Sequence, residues 1–393
     1  MDKNRRPISP LTLILITSAS TCIVLLLVFW YVFGGFGRNI AAMREYAALL
    51  NKIDETYIGE YDPSEVAASA LRAAVDALDD RWSYYMTPDE FAQYLNETNN
   101  QFAGIGVGVA ANSEKGGMEI MSVYAGSPAE KAGISVGDII TEVDGKSVEG
   151  LDVDDLRLML ARKIGDTASL TLLRTDGSVE AVAVAYELVF TDPVSFRMLE
   201  NNIGYVRIVN FERGASEGFI AAVEDLIGQG AKSFIYDVRC NRGGRVIEMT
   251  DILDFLLPEG EIFISVDKSG KEEITTSDAS MVDMPAIVLV DRHSYSAAEY
   301  FAATLSEYNY AITVGEQTTG KSRSQRTEIL PGGGALHIST SQYLTKNRVA
   351  LFDAGGFTPD YQLSLSDEEL SMLLSGNLDM ADDAQLQLAI ELS

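Results

Sequence analysis

Several residue types that often carry enzyme chemistry are scarce in this 393-residue chain. It has two cysteines, Cys22 and Cys240, and two histidines, His293 and His337. Cys22 lies in an apolar run and Cys240 in a glycine-rich loop, so no intrachain disulfide is expected. Zinc and iron–sulfur ligand spacings are absent, and no metal, nucleotide or other cofactor is implied. A serine hydrolase relying on histidine would have only His293 and His337 as bases. Positive charge is also short: 30 Lys and Arg stand against 58 Asp and Glu, a formal charge of −28. The first 38 residues hold Lys3, Arg5, Arg6 and Arg38 against Asp2 alone, so the rest is more acidic still. Nucleic-acid binding, which needs a basic footprint, is therefore excluded. There is no internal repeat and no low-complexity tract.

Apolar residue is plentiful, at 47% of the chain, and the length suits two or three domains. Residues 11–36 carry no charge and are dense in Leu, Ile, Val, Phe and Trp. At about 1.5 Å per residue such a run exceeds a bilayer core of roughly 30 Å, so a single membrane-spanning helix is expected. A cleaved signal peptide is the rival reading, but the run is long for one, and Trp30 and Tyr31 near its end suit an interfacial belt. The basic residues ahead of it predict a cytoplasmic tail at 1–10 and an extracytoplasmic catalytic domain on a single-pass anchor in the cell membrane.

Residues 38–97 read as an N-terminal helical region, with apolar residues at i, i+3, i+4 spacing over 40–53 and 64–78. Thr87-Pro88-Asp89-Glu90 predicts a capped helix start. The texture changes at Phe102, where Gly104-Ile105-Gly106-Val107-Gly108-Val109 alternates glycine with β-branched residues. Short strands, the stretch SPAEKAGISVGDIITEVDGKSV and a helix over Val153–Ala161 follow. Residues 98–187 resemble a PDZ domain of the permuted kind found in bacterial proteases. No helix opens directly after the glycines, so a dinucleotide-binding loop is ruled out. By position, Ile105, Gly106 and Val107 would form a loop that holds a peptide's terminal carboxylate. The bland alternative is that this domain is only a spacer or lid.

Residues 188–393 alternate strand and helix, which implies a largely parallel sheet with its loops gathered at one end. Within them a buried strand, Ala286–Val290, leads into Ser294-Tyr295-Ser296 and a helix from Ala297. A second strand, Ala311–Gly315, leads through Thr318-Thr319-Gly320 to Lys321. A serine at a strand-to-helix junction, beside free helix N–H groups, can act as a nucleophile, and a desolvated lysine can act as its base. Spacing leaves Ser294 and Ser296 equally placed for that role.

With these surroundings, about residues 40–365 resemble the carboxyl-terminal processing peptidases, the tail-specific serine proteases. The resemblance rests on LDDRWSYYMTPDEF, the PDZ region, DVRCNRGG, SYSAAE, GEQTTGKSRSQ and GFTPD. It implies an α/β fold: a ClpP/crotonase-like peptidase core with an inserted PDZ domain, an N-terminal helical segment and one transmembrane helix. It selects Ser296 as nucleophile, Lys321, 25 residues on, as base, and Gln325, four further, as the residue orienting the lysine. The oxyanion would be held by the Ala297 N–H and one from Gly243 or Gly244. His293, on a tight turn three residues before Ser296, His337 in a strand, and Cys240 are poor rivals. Arg242, Arg292, His293 and Tyr295 stand where the family usually has smaller residues, which could narrow the site or keep it closed. The partners expected are protein or peptide substrates with free C-termini, the membrane, and a homo-oligomer or activating partner. The alternatives are a catalytically silent PDZ tail-binding receptor or scaffold and, less well supported, a hydrolase of small acyl substrates.

Overall fold

The computed structural model describes residues 9–33, 39–112, 115–160, 162–375 and 377–393. The chain divides into two compact units, Met1–Ser69 and Ala70–Ser393.

In the first unit, helix α1 spans Pro10–Phe33 and α2 spans Ile40–Thr56. The membrane-spanning helix expected over 11–36 is not supported. Among the described residues no helix is long and apolar enough to cross a membrane. Thr17, Ser20 and Thr21 place hydroxyls along α1 that donate to the carbonyls of Ile14, Ile16 and Thr17. The single-pass placement, with its cytoplasmic tail and membrane partner, loses its basis with the helix. The side chains of Trp30 and Tyr31, and residues 34–38, lie outside what is described.

Helix α3 (Pro63–Asp76) runs into the second unit and is followed by β1 (Tyr84–Met86) and α4 (Pro88–Glu97). The expected cap of α4 forms. Thr87 Oγ1 accepts from Glu90 N, and Glu90 Oε2 accepts from Thr87 N at 2.7 Å.

Next come β2 (Gln101–Gly104), β3 (Val107–Asn112), β4 (Gly117–Val123), α5 (Pro128–Lys131), β5 (Ile139–Val143), β6 (Lys146–Ser147), α6 (Val153–Met159), β7 (Thr167–Leu173), β8 (Val179–Ala185) and β9 (Glu187–Phe190). Helix α6 ends at Met159; Ala161, its expected end, lies outside the described residues. Strands β3, β4, β5, β7 and β8 form one antiparallel sheet in that order, with β6 paired on β5. Strand β3 is therefore an edge. The separate antiparallel pair β2–β9 joins this lobe to the rest of the chain.

The remaining elements are β10 (Val194–Met198), β11 (Ile203–Ile208), α7 (Ala215–Gly228), β12 (Ser233–Asp237), α8 (Val246–Leu256), β13 (Gly260–Asp267), β14 (Glu272–Ser277), β15 (Ala286–Val290), α9 (Ala297–Glu307), β16 (Ala311–Gly315), β17 (Arg323–Ile329), β18 (Ala335–Leu344), β19 (Tyr361–Gln362), α10 (Asp367–Ser375) and α11 (Ala384–Leu392). The main sheet has the order β10-β11-β12-β15-β16-β19, and all its pairings are parallel except β10–β11. Central strands β12 and β15 are buried at every residue; β15 is apolar throughout, as burial on both faces favours, and β12 carries an apolar Phe-Ile-Tyr centre between Ser233 and Asp237. Alternate residues feed opposite faces. Val206, Phe234, Tyr236, Val288 and Val290 pack under α7, α8 and α9, while Tyr205, Ile235, Ile287 and Leu289 meet Leu386 and Ala389 of α11. The buried Arg239 guanidinium fastens α11 by bonding Asp237 and Asp383. Burial alone would raise the Asp237 carboxyl, but the Arg239 charge overrides it and holds the group at about 2. A second, antiparallel sheet runs β1-β18-β13-β14, with β17 on β18.

This topology positions the site. The loops leaving the carboxyl ends of adjacent parallel strands β12, β15 and β16 hold residues 239–244, 291–296 and 318–321, and ligands of parallel sheets gather at such ends.

Candidate active site

The loop after β15 presents its two nucleophile candidates very differently. Ser294 is fully buried, and its Oγ donates to the Val238 carbonyl at 2.8 Å and accepts from Asp291 N at 3.0 Å. It is a loop fastener. Ser296 is part-exposed and sits at φ 59°, ψ −124°, immediately before α9. A non-glycine residue in that conformation is strained, and such strain is held only where surrounding contacts fix it. The same kind of turn projects the nucleophile of other strand–turn–helix hydrolases. Gly243 supplies the room: a Cβ there would lie 2.7 Å from Ser296 Cβ.

Ser296, Lys321 and Gln325 line one cleft of about 710 Å³, together with Ala297 and Gly244. The Ala297 and Gly244 N–H groups have no hydrogen-bond partner among the described residues. Gly243 differs. Its N–H donates to Asn241 Oδ1 at 2.8 Å, and it does not line the cleft. Its carbonyl accepts from Phe211 N, while Arg245 N donates to Phe211 O, which pins the glycine pair against the Phe211 backbone. At Gly244, with φ 148°, a Cβ would meet Phe211 C and O at 2.4 Å.

Lys321 is half-buried, and its pKa falls to about 8 because burial disfavours the ammonium, although Glu299 and Asp80 pull the other way. Its Nζ sits 4.5 Å from the centre of the Trp82 ring, and Trp82 packs on Tyr295 with ring centres 5.6 Å apart. No hydrogen bond joins Lys321 Nζ to Ser296 Oγ or to Gln325 among the described residues. The Gln325 amide instead donates to Ser339 Oγ and to the Arg323 carbonyl, both at 3.0 Å. The three residues thus share a cleft without forming a connected triad. Tyr343, from β18, reaches the Ser296 side chain with its hydroxyl and donates to the Lys321 carbonyl.

The weaker candidates are poorly suited to the role, although His337 lines the same cleft. His293 is exposed. Burial takes the His337 imidazole down to about 4, and its Nδ1 lies 2.8 Å from Thr327 Oγ1. Burial lifts the Cys240 thiol to about 12, and Sγ contacts the Asp291 carboxylate at 3.0 Å; it is a poor nucleophile. Arg292 turns to Glu316 and Asp367, whereas Arg242 and Tyr295 line the cleft.

Two residues escaped the sequence reading. Trp82 lies 239 positions before the lysine it covers, and nothing in its local sequence marks that contact. Glu299 is fully buried and bonds both the Ser296 and Lys321 backbones. Its place three after Ser296 is a capping signal, but its bonds to the 318–321 turn appear only in three dimensions.

A second cavity, of about 770 Å³, lies in the lobe between β3 and α6. Ile105, Gly106 and Val107 line it, with Val153, Leu156 and Leu160 opposite. The Ile105 and Gly106 N–H groups have no partner among the described residues.

Residues 202–363 match the profile of peptidase family S41, and residues 119–174 match that of a PDZ domain. The chain carries an S41 peptidase domain and a PDZ domain. The carboxy-terminal processing protease CtpA of Bacillus subtilis is 29% identical over 296 residues, covering 75% of this chain and 63% of that protein. Carboxyl-terminal-processing peptidase 2 of Arabidopsis thaliana is 29% identical over 338 residues, covering 81% of this chain and 63% of that protein. The match thus spans a little under two thirds of each of these relatives. A solved structure from Bacteroides fragilis assigned to the S41 proteases has a TM-score of 0.56 at 18% identity, covering 86% of this chain and 92% of that one. It supports the mixed α/β S41 fold alone. The S41 match takes in all three site loops, and the PDZ match takes in α6 and the groove wall it supplies.

Proposed function

We propose that this chain is a serine endopeptidase of the carboxyl-terminal processing type, which takes protein C-terminal tails in its PDZ groove and cuts with Ser296 and Lys321. One observation carries the reading: a strained, part-exposed Ser296 shares a cleft with a lysine whose pKa is lowered to about 8. In this proposal neutral Lys321 takes the proton of Ser296 as Oγ attacks the scissile carbonyl. The Ala297 and Gly244 N–H groups receive the oxyanion, and Gly243 supports the turn. Lys321 then protonates the leaving amine, and water hydrolyses the acyl-enzyme. Gln325, after leaving Ser339, would orient the Lys321 amine. In the groove the free N–H groups of Ile105 and Gly106 would hold a terminal carboxylate, Val107 would begin the strand edge on which the tail pairs, and Val153, Leu156 and Leu160 would receive an apolar last side chain.

A second reading, a silent tail receptor, draws on Nζ resting over Trp82 and on the Gln325–Ser339 bond. A latent peptidase accounts for the same contacts if tail binding, a partner or self-assembly lets Nζ swing to Ser296. Hydrolysis of an unfolded protein separates the two. The peptidase reading expects cleavage that Ser296→Ala and Lys321→Ala each abolish. Equal inertness of all three forms, with tail binding retained, would establish the receptor.

A further inference from the structure

Glu299 takes no part in the proposed proton transfers, yet it touches both halves of the machinery. It lies on the first turn of α9 with its side chain fully buried. Oε1 accepts from Ser296 N at 2.9 Å and from Lys321 N at 2.6 Å. Oε2 accepts from Gly320 N at 2.8 Å and from Thr318 Oγ1 at 2.7 Å. Thr318 is itself fixed, since its Oγ1 accepts from Phe357 N at 2.7 Å. A buried carboxyl without such donors would be neutral, and burial does push this one above the ordinary value. Four donors converging on two oxygens leave no acceptor for a carboxyl proton, so the geometry suits the carboxylate.

An ordinary helix cap needs only the first of these bonds. The other three reach across to the turn after β16, on the neighbouring strand. The two loops also meet where Thr319 N donates to the Ser294 carbonyl at 3.2 Å and Thr319 Oγ1 donates to the Arg292 carbonyl at 2.9 Å, but those bonds touch neither Ser296 nor Lys321. Among the described residues, Glu299 is the side chain that bonds the main-chain N–H of both Ser296 and Lys321. We propose that Glu299 is a positioning residue: it holds the Ser296 elbow and the Lys321 turn at working distance, and its charge favours the protonated form of the neighbouring Lys321. This rests on the peptidase reading above.

The other ionisable groups facing Lys321 are Asp80 and Arg81 from the segment before β1 and His337 from β18, with Tyr343 beside its main chain. Arg242, Arg323 and Glu212 line the same cleft. Asp80 and Arg81 carry opposite charges and act on the lysine in opposite senses. Glu299 acts to keep the lysine protonated, so its neutralisation favours the free amine.

The test uses the full chain with casein as an unfolded substrate, and follows kcat and KM against pH for wild type, Ser296→Ala, Glu299→Gln and Glu299→Asp, with thermal unfolding of each as a fold control. Glu299→Gln should lower kcat by about 10²-fold with little change in KM, because a small displacement of reacting groups costs that much. Its acid limb should move to lower pH. Glu299→Asp keeps the charge but not the reach, so its limb should stay where the wild type has it while kcat remains low. A merely structural glutamate would not move the limb with charge. If Glu299→Gln does not fold, Thr318→Val decides, since it removes one donor and leaves the carboxylate. It should lower kcat about tenfold at constant KM, and an unchanged kcat overturns the proposal. An active wild type with Glu299→Gln matching it in kcat and in limb position also overturns it. An inert wild type, indistinguishable from Ser296→Ala, overturns the peptidase reading itself.

Discussion

The S41 cleft and the PDZ groove are nearly equal in volume, about 710 and 770 Å³, yet they are built on opposite principles. The cleft lies where parallel strands end, and it is held by strain and buried charge: Ser296 at φ 59°, the Gly243-Gly244 pair, the Glu299 carboxylate and a desolvated Lys321. The groove lies along an open strand edge, walled by Val153, Leu156 and Leu160, with Ile105 and Gly106 offering bare N–H groups. The first arrangement suits bond breaking, where preorganised dipoles must meet charge that develops in the transition state. The second suits sequence-tolerant capture, where main-chain bonds and an apolar pocket suffice. Perturbation of one should therefore change rate, and perturbation of the other should change affinity.

The sharpest separation comes from Ser296→Ala. Hydrolysis of an unfolded protein should fall by at least about 10⁴-fold, while binding of a C-terminal peptide, followed by calorimetry, stays unaltered. Loss of both together would break the division. Gly244→Ala comes next, because the added Cβ would meet the Phe211 backbone at 2.4 Å and displace the N–H. We expect kcat to fall about 10²–10³-fold, with tail affinity kept.

Proton titration gives a smaller effect. With Lys321 near 8, kcat/KM should rise about tenfold per pH unit on the acid side and flatten above pH 8, since only the deprotonated amine accepts a proton. A flat profile from pH 6 to 9 would remove the lysine base. Tail binding should show no such dependence. The smallest effect belongs to the groove. Amidating a substrate's C-terminus should raise KM several-fold and leave kcat alone, because only the contacts to Ile105 and Gly106 N–H are weakened. An unchanged KM would reduce the PDZ domain to a spacer.

These regions were unequally legible in the sequence. Period-two glycine alternation marks the start of β3, and the unbroken apolar run of β15 marks that strand, because strand burial writes itself locally. The three site loops were legible as strand-to-helix and strand-to-turn junctions. Spacing alone left Ser294 and Ser296 equivalent; burial of Ser294 against Val238 and Asp291 separates them. The choice between Gly243 and Gly244 needed the Asn241 side chain, which occupies one N–H. Trp82 over Lys321 and Glu299 under the 318–321 turn depend on contacts between distant segments, which local patterns do not encode. The run at 11–36 was weighed by its absence of charge, whereas among the described residues no helix is long and apolar enough to cross a membrane.

Covalent labelling of the nucleophile tests the central claim most directly. The protein would be treated with a fluorophosphonate across pH 6–9 and the modified residue located by peptide mass spectrometry. The account predicts a single adduct on Ser296, forming faster as pH rises through about 8, and sharply slowed in Lys321→Ala. An adduct on Ser294 or Cys240, or labelling of Ser296 that is indifferent to pH and to Lys321, would contradict it.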